Sequence, residues 1–396
     1  MRNLFIYILL SLLLFGCTKT SEELGVRSEE LGVRSEELGE RSEELGERSE
    51  ELGVRSEEFA ENFRVKKDSI FTKIEIFSPW DDNKVLYTYY LVKNDSVQTP
   101  NDGVKIKVPI QKIAINSCSH VAYINALGKI ETIVASSDPG YVYNENFRKL
   151  LTDGGIINLG GSYDMNFEQI LKVGPEVLMV TGFNGVDKTA QRVQETGIPV
   201  LYNYEWVEKT VLGRAEWIKL FGELFDAREK ADSIFNDIKT EYNRCTELAS
   251  NATNKPTVLS GTPYKGTWYI PGGQTFMAEF YRNSGMEYFY NDNKDNFSLA
   301  LSLETVMGNF LSADIWVGVD VKTYDGLAAQ DERLMIFKPV KNKRVYHHLN
   351  RVTETGGNDF WESAMLRPDI LLKDFIKIAH PELLPNWVLY YLGEVE

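Results

Sequence analysis

Cys118 and His120 stand two residues apart, a spacing that could bring a thiolate and an imidazole together for nucleophilic catalysis. No third residue at a recognisable spacing would orient the imidazole. The other histidines, His347, His348 and His380, could contribute to a metal site with a carboxylate, but His347 and His348 on one strand would point to opposite faces. Neither set matches a motif of reliable ligand spacing, so neither an enzyme nor a protein-held metal or cofactor is expected. Two carboxylates carry more. Asn166-Phe167-Glu168-Gln169-Ile170-Leu171 is echoed by Ser302-Leu303-Glu304-Thr305-Val306-Met307. Each copy opens a helical pattern and runs on to a buried strand, Glu176-Val177-Leu178-Met179-Val180 or Asp314-Ile315-Trp316-Val317-Gly318. The repeat implies two similar α/β lobes, each offering one glutamate at an equivalent surface position. A cleft between two lobes points to ligand capture, because pockets concentrate at such junctions. Taken alone, each glutamate also fits a helix start, where the dipole favours a carboxylate.

Strand and helix patterns must position these residues. An α/β region with largely parallel sheets starts at Ile113-Ala114-Ile115-Asn116, with a turn over Ser117 to Ser119 and a helix through Val121 to Leu127. Strands follow at 130–135, 156–159, 177–180 and 200–202, alternating with helices as a parallel sheet requires. From Leu212 to Leu248 runs the longest helical pattern, free of proline; as one helix it would be roughly 50 Å long. A single helix joining the lobes would resist large hinge closure. The second lobe starts at Pro256-Thr257-Val258-Leu259, has Arg344-Val345-Tyr346 as its last strand, and ends in helices after Pro368. Before the lobes, Ile70, Thr72, Ile74 and Ile76 alternate with polar residues, and Val85 to Val92 follows a turn at Pro79-Trp80-Asp81-Asp82-Asn83, predicting a β-hairpin. The expected organisation is a signal peptide at 1-16, a lipidated tether at 17-58, a β-hairpin extension at 59-103, an N-terminal lobe at 104-207, a bridging helix at 208-252 and a C-terminal lobe with closing helices at 253-396.

The front of the chain bears on location. Met1-Arg2-Asn3 precedes an apolar run, Leu4 to Phe15, too short for the roughly 20 residues of a membrane span. It ends in Leu14-Phe15-Gly16-Cys17, which resembles a bacterial lipobox with Cys17 as the acylated residue, so a lipid anchor on the membrane is expected. Next come near-copies of Ser21-Glu22-Glu23-Leu24-Gly25-Val26-Arg27. Their period of seven lacks the three-four apolar spacing of a coiled coil, and a glycine per unit costs about 1 kcal/mol of helix stability, predicting a solvated spacer. The formal net charge is -15. That balance argues against nucleic acid as a partner and leaves no basic patch for lipid head groups. Of three cysteines, Cys118 and Cys245 remain after Cys17 and are expected unpaired.

Several stretches together resemble a known family, the lipid-anchored substrate-binding proteins of ABC importers for iron complexes and cobalamin. They are Asn166-Phe167-Glu168 leading to Gly174-Pro175-Glu176-Val177-Leu178, Leu212-Gly213-Arg214-Ala215-Glu216-Trp217-Ile218, Gly266-Thr267-Trp268-Tyr269-Ile270-Pro271-Gly272-Gly273, and Gly356-Gly357-Asn358-Asp359-Phe360-Trp361-Glu362. The resemblance covers roughly residues 104 to 392 and implies a class III periplasmic-binding-protein fold. It implies that Glu168 and Glu304 sit on the lobe tips and pair with arginines of the permease subunits, where charge steers and registers the complex.

The resemblance also places the cleft at loops 117–120, 138–141, 162–163, 183–184, 264–274, 297–298 and 350–351. Corrinoid binders of the family carry a tryptophan six residues before each docking glutamate; this chain has Ser162 and Ser298 there. Cobalamin is thereby disfavoured, although Trp268, Trp206 or Trp361 would supply an aromatic wall from elsewhere. Binders of ferric siderophores use Arg, Lys and Tyr in the cleft, which Tyr141, Tyr163, Tyr264, Lys265 and Arg351 would provide. For haem, His120 is the candidate axial ligand. The expected function is capture of an iron complex, siderophore or haem, for a membrane permease, with a corrinoid as the alternative cargo. A bare zinc or manganese carrier would want several more His and acid ligands in the cleft. Handing cargo to an outer-membrane receptor is a further alternative, since about 35 tether residues fully extended reach roughly 115 Å.

Overall fold

Val177-Leu178-Met179-Val180 and Ile315-Trp316-Val317 are apolar without alternation, and in the computed structural model both runs are buried inside largely parallel sheets, each between two parallel neighbours. The structure describes residues 57–81 and 84–396; the expected signal peptide, Cys17 and the seven-residue array lie outside the described residues. Strands β1 (Phe63–Lys67), β2 (Thr72–Phe77), β3 (Val85–Val92) and β4 (Val104–Lys107) form one sheet in the order β1-β2-β3-β4. The expected hairpin is its centre, β2 and β3. Strand β1 adds antiparallel to β2, and β4 parallel to β3. Ile70, expected in the alternation, is exposed ahead of β2.

The first lobe holds β5 (Ile113–Ile115), β6 (Ile133–Ser136), β7 (Ile157–Asn158), a small hairpin of β8 (Gly160–Gly161) and β9 (Asp164–Met165), β10 (Val177–Thr181) and β11 (Val200–Asn203). Its main sheet runs β11-β10-β5-β6-β7, all parallel. The second lobe holds β12 (Thr257–Ser260), β13 (Pro263–Tyr264), β14 (Thr267–Pro271), β15 (Glu287–Tyr288), β16 (Ser298–Leu301), β17 (Ile315–Val319), β18 (Val345–His347) and β19 (Gly393–Glu394). Its main sheet is β15-β12-β17-β18-β19, and β13-β14-β16 is a separate antiparallel sheet. The strand over 345–347 is therefore not the last: β19 returns after the helix Pro368–Ala379 and pairs antiparallel with β18.

The bridging segment expected as one helix is three: Val211–Glu216, Ile218–Leu224 and Arg228–Ser250. At 1.5 Å per residue the third is about 35 Å long. The break follows from Asp226, in the left-handed region at φ 54°, and from Gly222, where a Cβ would lie 2.7 Å from that of Ala231. The second and third helices thus pack more closely than a side chain at 222 would permit.

These bridging helices also hold the start of the described chain. The buried carboxylate of Glu216 accepts the backbone N–H groups of Glu58, Phe59 and Ala60 at 3.1, 2.7 and 2.9 Å and pairs with Lys219 at 2.6 Å. Glu208 accepts the N–H groups of Glu61 and Asn62 and the indole N–H of Trp217, at 2.9, 3.0 and 2.9 Å. Burial nevertheless pushes the Glu208 carboxyl up to about 7.

Candidate functional site between the lobes

Loops at the carboxyl ends of both sets of parallel strands meet one another, which defines a crevice between the lobes. At one end Thr355 Oγ1 donates to the carbonyl of Gly140 at 2.6 Å, and the Glu362 carboxylate accepts the N–H groups of Tyr143 and Asn144 at 2.7 and 3.1 Å. Gly357 allows this approach, since a Cβ there would lie 2.8 Å from the carbonyl oxygen of Tyr141. At the other end a cavity of about 180 Å³ lies between Trp206 and Lys209 of the first lobe and Gln274 and Phe297 of the second.

The first-lobe surface leading away from Trp206 is aromatic. Tyr163 is 86% exposed, its ring centroid 5.4 Å from Phe183, which lies 5.7 Å from Trp206. The Trp206 indole N–H is fixed on the carbonyl of Gly182 at 2.9 Å. Tyr163, Phe183, Thr181 and Tyr202 line a further cavity of about 440 Å³ at the carboxyl ends of β10 and β11. Tyr141, Tyr264, Tyr269, Phe297 and Trp361 are exposed as well. Faces of this kind bind flat conjugated groups by stacking and edge contacts.

The cationic candidates are engaged. Arg351 pairs with Asp359 at 2.6 Å, and its guanidinium lies over the rings of Tyr143 and Tyr390 at 4.9 and 4.1 Å. Lys265, at the tip of the β13–β14 turn with φ 50°, lies over the ring of its neighbour Tyr264 at 5.1 Å. Lys209 pairs with Glu61 at 2.6 Å.

Two candidates are corrected. His120 is fully buried on the first turn of the helix Cys118–Ala126, against Phe221, and desolvation pushes its imidazole down to about 3. Helix formation from Cys118 onward turns residue 120 into the core, so it does not face cargo as an axial ligand. Trp268 is also fully buried: its indole N–H donates to the carbonyl of Ser260 at 2.8 Å and its ring packs on Trp316 and Phe337. The alternation of β14 sends Trp268 and Ile270 inward and Tyr269 outward. Tyr269, not Trp268, is the exposed aromatic of β14, and that alternation is the signal the sequence offered.

Cys118 lies near the carbonyl of Trp361 at 3.8 Å, and burial, with the charges of Glu362 and Glu205, pushes its thiol up to about 12. Thiol and imidazole are thus both driven to their neutral forms, opposite to what a thiolate–imidazole pair needs. Among the described residues no three His, Cys, Asp or Glu side chains cluster as metal ligands.

Glu168 and Glu304 each occupy the second position of a capped helix. Asn166 caps Phe167–Val173 through the Gln169 N–H, and Ser302 caps Leu303–Phe310 through the Thr305 N–H. Both carboxylates are exposed, and Glu304 has Arg333 at 3.6 Å. The two copies have the same local geometry and lead into equivalent strands, β10 and β17.

The comparisons agree with this architecture. An uncharacterized lipoprotein of Methanocaldococcus jannaschii is 26% identical over 78% of each chain, and a second from the same organism is 25% identical over 78% of this chain and 81% of its own. A periplasmic heme binding protein from Pseudomonas aeruginosa superposes with a TM-score of 0.55 at 14% identity, covering 72% of this chain and 98% of that one. A possible iron-binding (periplasmic solute-binding) protein from Staphylococcus epidermidis gives 0.53 at 18% identity, covering 68% and 98%. These structural likenesses establish the fold. The family model for periplasmic binding proteins matches residues 113–351, from β5 through the crevice loops to Arg351, and the chain belongs to that family.

Proposed function

We propose that this chain is the substrate-binding lipoprotein of an ABC importer and that it captures an iron complex, a ferric siderophore or haem, between its lobes for delivery to the permease. The observation that carries the reading is the aromatic run from exposed Tyr163 through Phe183 to half-buried Trp206, beside a crevice where Arg351 and Lys209 are already paired and Lys188 lines the cavity under Tyr163 and Phe183. That surface suits flat or aryl-bearing chelates. Two proteins of the same fold are by name a heme-binding and a possible iron-binding protein, which supports the same cargo chemistry. Tyr141, Tyr163, Tyr264, Lys265, Arg351 and Trp361 are the proposed contacts, with Phe183, Trp206 and Tyr269 added; Glu168 and Glu304 are the proposed permease contacts, and Cys17 the lipidation site.

A corrinoid is the second reading, favoured by the indole of Trp206 on the same wall. Equilibrium dialysis of the full chain in detergent against haem, a ferric tris-catecholate, a ferric trihydroxamate and cyanocobalamin separates the two. Retention of a ferric complex supports the first reading, and retention of cyanocobalamin alone replaces it with the second.

A further inference from the structure

The β2–β3 turn belongs to the N-terminal sheet, outside the 113–351 family match, yet it reaches the crevice. Pro79 lines the cavity of about 180 Å³ together with Trp206, Gln274, Phe276 and Phe297, so three parts of the chain converge on one small space. Trp80 and strand β3 are held there by ring contacts and a hydrogen bond. Tyr87 stacks on Tyr202 of β11 at 4.1 Å with planes 10° apart, and the Tyr89 hydroxyl accepts the Tyr202 N–H at 3.1 Å. Trp80 meets Tyr204 edge-on at 5.7 Å. The Tyr204 ring lies so close over Gly182 that a Cβ there would be 2.1 Å from it, and the Gly182 carbonyl fixes the Trp206 indole. A continuous path therefore runs from the turn to the aromatic wall, through Trp80, Tyr204 and Gly182 to Trp206.

We propose that Pro79, positioned by its neighbour Trp80 where the chain leaves β2, is a specificity-determining wall of the cargo site: it closes the end of the cavity between Trp206 and Phe297, which then admits one planar ring of the cargo, an aryl group or a pyrrole edge. The inference rests on the iron-complex reading and names the part of the cargo recognised. Size supports it, since an apolar cavity of about 150 Å³ takes up a benzene molecule, whereas whole ligand pockets span about 300–1,000 Å³. Chemistry supports it as well. At the Pro79 end, proline offers no backbone N–H and presents an apolar ring near the Trp206 indole and the Phe276 and Phe297 rings, while Lys209, Gln274 and Asn296 supply the polar part of the lining.

The test measures dissociation constants of the full chain in detergent for haem, a ferric tris-catecholate and a ring-free ferric trihydroxamate, in the native chain, Pro79→Trp, Pro79→Asp and Phe183→Ala. The first variant fills the cavity and the second places a carboxylate in it; Phe183→Ala alters the wall away from the turn. The expected result is that the native chain binds a ring-bearing complex at least tenfold more tightly than the trihydroxamate, and that both Pro79 variants lose at least tenfold with an unchanged melting temperature. If Phe183→Ala weakens binding while both Pro79 variants stay within twofold of the native chain, the inference is overturned and the iron-complex reading stands. Binding of the trihydroxamate alone also overturns it. If the native chain binds none of the three, the iron-complex reading fails and this inference falls with it.

Discussion

The Glu362 carboxylate of the second lobe accepts the backbone N–H of Tyr143 in the first at 2.7 Å, and its other oxygen accepts that of Asn144 at 3.1 Å. With Thr355 on Gly140, this closes one end of the crevice between lobes joined by three packed helices. Opening at that end exposes a carboxylate and two N–H groups that now satisfy one another, so the contact opposes hinge motion.

Stability should fall with rising pH because of this carboxylate. Burial, aided by the charge of Asp359, pushes Glu362 up to about 8 from an ordinary value of 4.5. Between those values the folded state binds more protons than the unfolded, so the contribution is full below pH 4.5 and is lost as pH rises through 8. The buried histidines act in the opposite sense, His120 held at about 3 and His347 at about 4, but their effect is confined to below pH 6.5. Between pH 7 and 8 the histidines are silent but Glu208, pushed up to about 7, still contributes in the same sense, so comparing the melting temperatures of variants isolates Glu362: the native chain should lose stability across that interval and Glu362→Gln should lose less. Equal slopes would remove Glu362 as the cause.

Glu216→Ala should release the segment that enters the fold at 58–60. Three backbone N–H groups lose their acceptor, and unsatisfied buried groups cost about 1–3 kcal/mol each before water reaches them. Limited proteolysis should cut near residues 57–62 faster than in the native chain, at a temperature where both remain folded. Unchanged cleavage would mean that Glu208 and β1 hold the segment without Glu216.

On β14, neighbouring substitutions should separate stability from binding. Trp268→Ala empties a site against Trp316 and Phe337 and should cost about 3–5 kcal/mol. Tyr269→Ala, on the outward face, should cost little stability and weaken cargo binding severalfold. Thermal melts and dissociation constants of both variants check this, and reduced affinity in folded Trp268→Ala alone would reverse the assignment.

Reversing both helix-start glutamates, Glu168→Arg with Glu304→Arg, should abolish uptake in cells while leaving the cargo dissociation constant within twofold. Both side chains are exposed at equivalent capped helices, and neither lines the cavities at Tyr163 or Trp206. An equal loss of affinity would show that they act on cargo instead.

Much of the α/β frame was legible because buried parallel strands such as Val177–Thr181 and Ile315–Val319 are uninterrupted apolar runs, and the repeated cap-x-Glu helix starts mark where each follows. The misplaced site residues have local causes. His120 looked like a loop residue because the helix was expected to begin at Val121, whereas Ser117 caps one that starts at Cys118. Trp268 and Tyr269 exchange places with a one-residue change of face, which β14 decides through its pairing with β16. Contacts between distant segments left no local signal: Pro79 beside Trp206, or Glu362 on Tyr143, depends on how sheets and lobes dock.

Capture of an iron complex on the aromatic wall is decided by titrating haem into the full chain and into the Phe183→Ala, Trp206→Ala double variant, following the Soret band, with a ferric tris-catecholate and its charge-transfer band run in parallel. The account predicts one equivalent of at least one of these complexes bound by the native chain and at least tenfold weaker binding by the double variant, with melting temperature preserved. No saturable binding of either complex, or equal affinity in the two proteins, would contradict it.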